Sequence, residues 1–427
     1  MSAFVDRINA RLGITRQTER GAREAQAVRT RRLTPKKDKP AVTGAPSGAQ
    51  VGAQAAAPAR VGGPFDWWLF TLVLCLLALG LLMVLSASGI VAEKINGDKY
   101  HFFKRQLLFA SVGGMGMWFA ALMPRHWLYR LQYPALAVSL ALLLLTLTSF
   151  APSINGAKRW IPLGPVNLQP MEFVKIALVL YLAYFMSSKQ ELIKTFSRGV
   201  IPPFAVTGLF CFLLLLQPDF GSAVVLCGIL FFMCVAGGTR FVYLFLAIAM
   251  AVGGAVALVV SSPYRLRRLT AFLDPFKDAN DTGYQLVQSL YALGSGGFSG
   301  VGVGASKQKM FYLPEAHNDF IMAVLGEEMG FVGVTLVMVL FALFFWRCYK
   351  IVQGQEDLRD RFTAFGLTLI IGLGAVINLA VVMGMAPPKG VPMPLLSYGG
   401  SSLVATMACV GLLLNYSRTA KVWKDLS

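Results

Sequence analysis

Residues 313–346 read LPEAHNDFIMAVLGEEMGFVGVTLVMVLFALFFW, an acid-bearing loop that runs straight into a long apolar stretch. A hydrocarbon core about 30 Å thick needs roughly 20 apolar residues per helix, and the run from Phe320 to Trp346 exceeds that. Glu315, His317 and Asp319 stand at its edge. A charge at a membrane-helix centre costs on the order of 2.5–3.5 kcal/mol, and less near the interface. Such a cluster needs a reason, and proton transfer is a chemistry that would supply one.

Working outward, similar runs recur at roughly 67–90, 104–123, 133–150, 170–187, 200–216, 220–236, 241–261, 362–383 and 399–416, about ten spans in all. Backbone hydrogen bonds in lipid must close within helices or closed barrels. The unbroken runs exclude a barrel, whose strands alternate. The composition agrees: 56% hydrophobic and 14% charged, against about 25% charged in soluble domains. The expected fold is therefore an all-α polytopic membrane protein with a long extracytoplasmic loop between helices 7 and 8. Gln217-Pro218-Asp219 predicts a tight re-entry, with Pro ending one helix and Asp capping the next.

Much of the net charge of +18 lies in the first 66 residues, among them Arg7, Arg11, Arg16, Arg20, Arg23, Arg29, Arg31, Arg32, Lys36, Lys37, Lys39 and Arg60. That segment is expected to be a disordered basic cytoplasmic tail over 1–64, with Arg20–Arg32 transiently helical. A basic tail suits nucleic acid, but the plainer reading is a cytosolic tail on anionic lipid, so nucleic acid is not an expected partner. No apolar segment near Met1 predicts a cleaved leader. Arg125, Arg130, Lys189, Lys194, Arg198, Arg240, Arg347, Lys350, Arg359, Arg361, Arg418, Lys421 and Lys424 fall on the tail's side, which puts both termini in the cytoplasm. The membrane domain is expected over 65–417, its large loop over about 262–319, and a short cytoplasmic tail over 418–427. The six cysteines form no CxxC pair and read as small core hydrophobes, with no disulfide or zinc site.

Four outward patches carry polar residues. The first is Ser153 to Trp160, a turn with Lys158 and Arg159. The second is Gln169 to Lys175, where Glu172 and Lys175 share a helix face; they are either a structural ion pair or a lysine presented to an anionic head group. The third holds Asp319, either a helix cap or a base, with His317 two residues away to tune it. Glu327 and Glu328 lie deeper, and both facing lipid is excluded on cost. The fourth is the proline-rich run Met385 to Ser402, with Lys389 as a phosphate clamp and Ser397 beyond it. The large loop adds Arg265, Arg267 and Arg268, either solvated or paired with phosphate. Its glycine run from Gly294 to Gly304 mimics a dinucleotide fingerprint without a βαβ unit, so the glycines are expected to let the loop lie close to the membrane and move. No P-loop, HExxH or Ser-His-Asp signature is present.

At these motifs the chain resembles the SEDS family of bacterial cell-wall polymerases, its division branch more than its elongation branch. The matching residues are Asn155 to Ile161, Gln169 to Glu172, Gln217 to Gly221, Tyr284-Gln285, Leu313 to Phe320 and Pro392 to Ser402. Asn318 stands where many members have Thr. The resemblance implies ten helices, peptidoglycan glycosyltransfer from lipid II with loss of undecaprenyl pyrophosphate, and Asp319 as the catalytic carboxylate. It also implies a class B penicillin-binding transpeptidase and other divisome proteins as partners, in the bacterial inner membrane at the septum. Lys158, Arg159, Glu172, Lys175, Arg265, Arg267, Arg268, His317, Lys389 and Ser397 are the expected substrate-binding set. A divalent cation (Mg or Mn) could help neutralise the leaving group, although no ligand set is visible in the sequence. The rival readings are a flippase of lipid-linked precursors and a non-catalytic scaffold for the transpeptidase.

Overall fold

A computed structural model describes residues 63–153, 156–164, 166–261, 263–279, 281–310 and 312–420. The expected basic tail and its helical stretch lie outside the described residues. Twelve α-helices are seen among them. α1 (Trp67–Asn96), α2 (His101–Leu122) and α3 (Arg125–Leu147) precede a short antiparallel hairpin of β1 (Ile161–Leu163) and β2 (Val166–Leu168). α4 (Pro170–Ser188) follows, then α5 (Ile201–Leu216), entered through a π-helical turn at Phe196–Val200. α6 (Phe220–Gly237), α7 (Phe241–Val260), α8 (Pro263–Leu273), α9 (Tyr284–Gly296), α10 (Ile321–Gln353), α11 (Leu358–Val382) and α12 (Gly400–Ser417) complete the chain.

Ten of these helices fall on the ten expected spans. Eight are long and apolar enough to cross a membrane. The other two are α2, which opens on His101, Lys104 and Arg105, and α7, whose shorter apolar part is Phe241–Gly254. The caps follow the sequence. Asp66 accepts from Leu69 N at 3.0 Å to start α1, and Asp219 accepts from Ser222 N at 3.2 Å to start α6. Gly97 (φ 68°) and Gly238 (φ 83°) close α1 and α6 in the left-handed conformation.

The core is built around α4, α11 and α12. α12 lies along α2, and at Gly411 a Cβ would come within 2.2 Å of Met117 O, so only glycine permits that approach. Three of the six cysteines depart from the expected core role. Cys75 and Cys227 are exposed and Cys211 is half-buried, while Cys234, Cys348 and Cys409 are buried. Cys211 and Cys227 face each other across α5 and α6 with Sγ atoms 3.7 Å apart.

The large loop is more ordered than its composition implies. It contains α8 and α9, and α9 packs on α10. α10 is broken at Gly330, whose φ of 62° and ψ of −159° are not helical. The glycine run closes that break. Val301 N and Gly302 N donate to the carbonyls of Glu327 and Glu328, both at 3.0 Å, and Phe331 N and Val332 N donate back to Gly297 O and Phe298 O at 2.9 and 3.2 Å. Gly296 and Gly300 therefore permit close backbone contact with α10, while Gly294, Gly297, Gly302 and Gly304 have open space around them, so the run is packed at two glycines and open at the others. A Cβ on Gly330 would meet Gly300 N at 2.4 Å. Gly330→Ala is expected to destabilise the protein by more than about 2 kcal/mol, read as a fall in thermal unfolding temperature in detergent.

Below Asp319, both deep carboxylates are buried and paired. Glu327, 2% exposed, accepts from Ser306 Oγ, and from Lys307 N and Gln308 N at 3.0 and 3.3 Å. Glu328, 1% exposed, accepts from Lys309 Nζ at 3.0 Å and from Ser86 Oγ of α1 at 2.7 Å. At the far end of α10, Arg347 pairs with Asp66 at 2.6 Å.

Candidate active site

Asp319 sits two residues before α10, which starts at Ile321. It is half-buried. Among the described residues no group hydrogen bonds to its carboxylate. The helix-cap reading is not met: the residue before α10 is Phe320, and no side chain caps the helix. Burial, aided by Glu315, pushes the Asp319 carboxyl up to about 7, while Arg159 pulls it down. A carboxylate left unpaired and tuned to neutral pH is what a general base requires.

The proline-rich loop 383–399 forms the facing wall. A Cβ on Gly390 would lie 3.2 Å from Asp319 Oδ2, so glycine there lets the acid and this loop approach. Gly390, Val391, Pro392 and Pro394 also line a narrow cleft together with Glu172, Lys175 and residues in the first turns of α6 and α12. The loop is held by buried polar groups. Gln106 Nε2 donates to Ser397 O at 3.0 Å, Ser397 Oγ accepts from Met393 N at 2.8 Å, and Tyr398 N donates to His317 O at 3.0 Å. Glu315 (φ 55°) on the acid loop and Leu395 (φ 65°) on the proline loop both hold the left-handed conformation, a strain that the packing around a site sustains.

The expected site residues divide into three groups. Lys175 lies 2.8 Å from Glu172 on α4, and the pair lines the cleft. Arg159 comes from the stem of the hairpin. Its Nε, buried without a hydrogen bond among the described residues, is 3.8 Å from Asp219 Oδ2, and its NH2 group donates to Pro218 O. Lys389 rests on the Phe220 ring, 4.9 Å from its centroid, and burial lowers its pKa. It makes no ion pair among the described residues. Of these three cations, Arg159 is near enough to pull on the Asp319 carboxyl, Lys175 lines the cleft, and Lys389 adjoins Gly390, which meets Asp319 Oδ2.

His317 is not bonded to Asp319. Its ring stacks on Phe102 at 4.8 Å and meets Tyr398 at 5.6 Å, and burial holds its pKa below the usual value against the pull of Glu315. It orders the acid loop through aromatic packing rather than tuning the acid directly. Ser397 is consumed by its own turn, its hydroxyl held by Met393 N, so it does not reach substrate space. Lys158 points to Thr148 O at 3.4 Å. Arg267 is exposed on α8, which packs on α7; Arg265 and Arg268 share that helix, and their side chains lie outside the described set. Sequence reasoning missed Asn378 and Gln106, whose roles come from partners far away in the chain. No group of three or more His, Cys, Asp or Glu close enough to hold a metal occurs among the described residues.

Helical spans with an unpaired acid at one end, Arg159 within electrostatic reach and a lysine-lined cleft beyond the facing loop define a polytopic membrane protein with an acid-centred site. The chain belongs to the FtsW/RodA/SpoVE family of cell cycle proteins, which matches residues 66–422. It is 44% identical over 359 residues to the probable peptidoglycan glycosyltransferase FtsW of Trichlorobacter lovleyi, covering 84% of this chain and 94% of that one. It is 40% identical over 360 residues to stage V sporulation protein E of Bacillus subtilis, covering 83% and 98%. A chain of a peptidoglycan synthase complex, solved for its coordination of polymerization and crosslinking, matches with a TM-score of 0.70 at 31% identity, covering 84% and 98%. RodA of Thermus thermophilus matches with a TM-score of 0.63 at 30% identity over the same shares.

Proposed function

We propose that this chain is a peptidoglycan glycosyltransferase that polymerises lipid II during septal cell-wall synthesis, with Asp319 as its general base. The observation that carries this reading is the unpaired Asp319 carboxyl, pushed up to about 7 beside a cation-bearing cleft, in a relative of named peptidoglycan glycosyltransferases. The sugar 4-hydroxyl of one lipid II attacks the anomeric carbon of the growing strand. A carbon–oxygen bond forms, and the bond to the polyprenyl pyrophosphate breaks with its electron pair. Asp319 takes the hydroxyl proton. Lys389, Arg159 and Lys175 offset the charge that builds on the leaving pyrophosphate. One direct displacement inverts the anomeric centre.

By analogy with the synthase complex, its partner is a class B penicillin-binding transpeptidase. The basic tail and the positive-inside pattern support a reading in which both termini are cytoplasmic and the acid lies at the outer face of the inner membrane. The test is lipid II incubated with the full chain, with and without that transpeptidase. Glycan strands support the reading; head-group movement without linkage points to a flippase and sinks it.

The acid's environment also sets a pH profile. The base works when deprotonated, and burial raises its pKa, so kcat/KM should climb as pH rises through about 7. A carboxylate at its ordinary value would leave the rate flat from pH 5.5 to 8. A rate profile of the purified chain over that range decides between them.

A further inference from the structure

Asn378 lies on α11, on the face that also turns Ile370 and Gly374 toward the cleft. It is 1% exposed. Its Nδ2 donates to Asp319 O at 2.7 Å and to Val391 O at 2.8 Å. One amide group therefore spends both N–H bonds joining the acid loop to the proline-rich loop that carries Lys389. Its Oδ1 is buried with no partner among the described residues. The flipped amide would set an oxygen against two carbonyls, so the donors alone dictate its orientation.

We infer that Asn378 is a positioning residue for the transfer: it holds the acid loop and the lysine loop at one separation, so that Asp319 and Lys389 stay aligned on the attacking and leaving ends of the substrate. This rests on the reading of Asp319 as the base. The contact at Gly390, whose missing side chain leaves Asp319 Oδ2 room, sits one residue from the Val391 carbonyl that Asn378 holds. The two loops also meet where Tyr398 N donates to His317 O at 3.0 Å, but that bond lies seven residues beyond Val391, so Asn378 is the tie at the Gly390 end. Misplacement of a reacting group by about 1 Å is enough to cost about 10²-fold in rate.

The test uses the full chain in lipid nanodiscs with Asn378→Ala and the near-isosteric Asn378→Asp, which offers acceptors where donors are needed. Hydrogen exchange is followed by mass spectrometry alongside lipid II polymerisation. Peptides covering 313–320 and 387–397 are expected to exchange at least about tenfold faster in both variants, while peptides from α12 keep their wild-type rate. kcat should fall about ten- to hundredfold with KM held within about twofold. The proposal is overturned by unchanged exchange in either loop, by an Asn378→Asp protein that matches wild type in rate, by a change confined to KM, or by faster exchange across every helix, which would mark a general loss of fold. A wild-type chain that fails to polymerise lipid II would overturn the functional reading, and the exchange data would still decide whether Asn378 ties the two loops.

Discussion

Asp319→Asn is expected to lower lipid II polymerisation by about 10²–10⁴-fold, the usual contribution of a positioned general base. The fold should be indifferent to the change. Among the described residues no hydrogen bond reaches the carboxylate, so an amide of the same shape leaves no partner stranded. Asp319's backbone carbonyl keeps its bond from Asn378 at 2.7 Å. Thermal unfolding and lipid II binding should therefore stay near wild type while turnover collapses. A variant that still polymerises at the wild-type rate removes the base from the mechanism, and one that fails to fold shows that the acid is structural.

The largest stability effect is expected at Lys309. Its ammonium pairs with Glu328 at 3.0 Å, both nearly inaccessible to water, and the carboxylate also holds Ser86 Oγ. Removing one partner of such a pair leaves a charge stranded in a low-dielectric interior and costs about 3–5 kcal/mol. Lys309→Ala should therefore lower the unfolding temperature in detergent far more than Lys104→Ala, whose pair with Asp98 is open to solvent and contributes little. Equal shifts for the two variants would show that the deep pair is hydrated in solution.

Much of this architecture was legible because membrane helices announce themselves locally. The ten apolar runs, the Gln217-Pro218-Asp219 re-entry and the Glu172–Lys175 pair depend on neighbours within one or two helical turns. Asp319 was legible for the same reason, as an acid beside a long apolar run. The hairpin Ile161–Leu168 was not read, because strands this short leave little periodicity. Nor were the two helices of the large loop, whose apolar content is too low to stand out in a chain this hydrophobic. Asn378 and Gln106 drew no notice because each acts on a segment distant in sequence. The contact of Gly296 and Gly300 with α10 was not read for a related reason: glycine admits close backbone contact as readily as it admits motion, and only the facing backbone decides which. Ser397 lies within a family motif, yet its hydroxyl accepts from Met393 N of its own loop.

The interruption at Gly330 divides α10 into a short upper piece, Ile321–Met329, and a long lower rod, Phe331–Gln353. The upper piece follows Asp319 directly and is stitched to the glycine run, while the lower rod is anchored near its end by the Arg347–Asp66 pair. No continuous ladder of helical hydrogen bonds joins the two. A change in bilayer thickness or a push from an adjacent subunit that tilts the lower rod would then be absorbed at this elbow, and the acid would keep its aim.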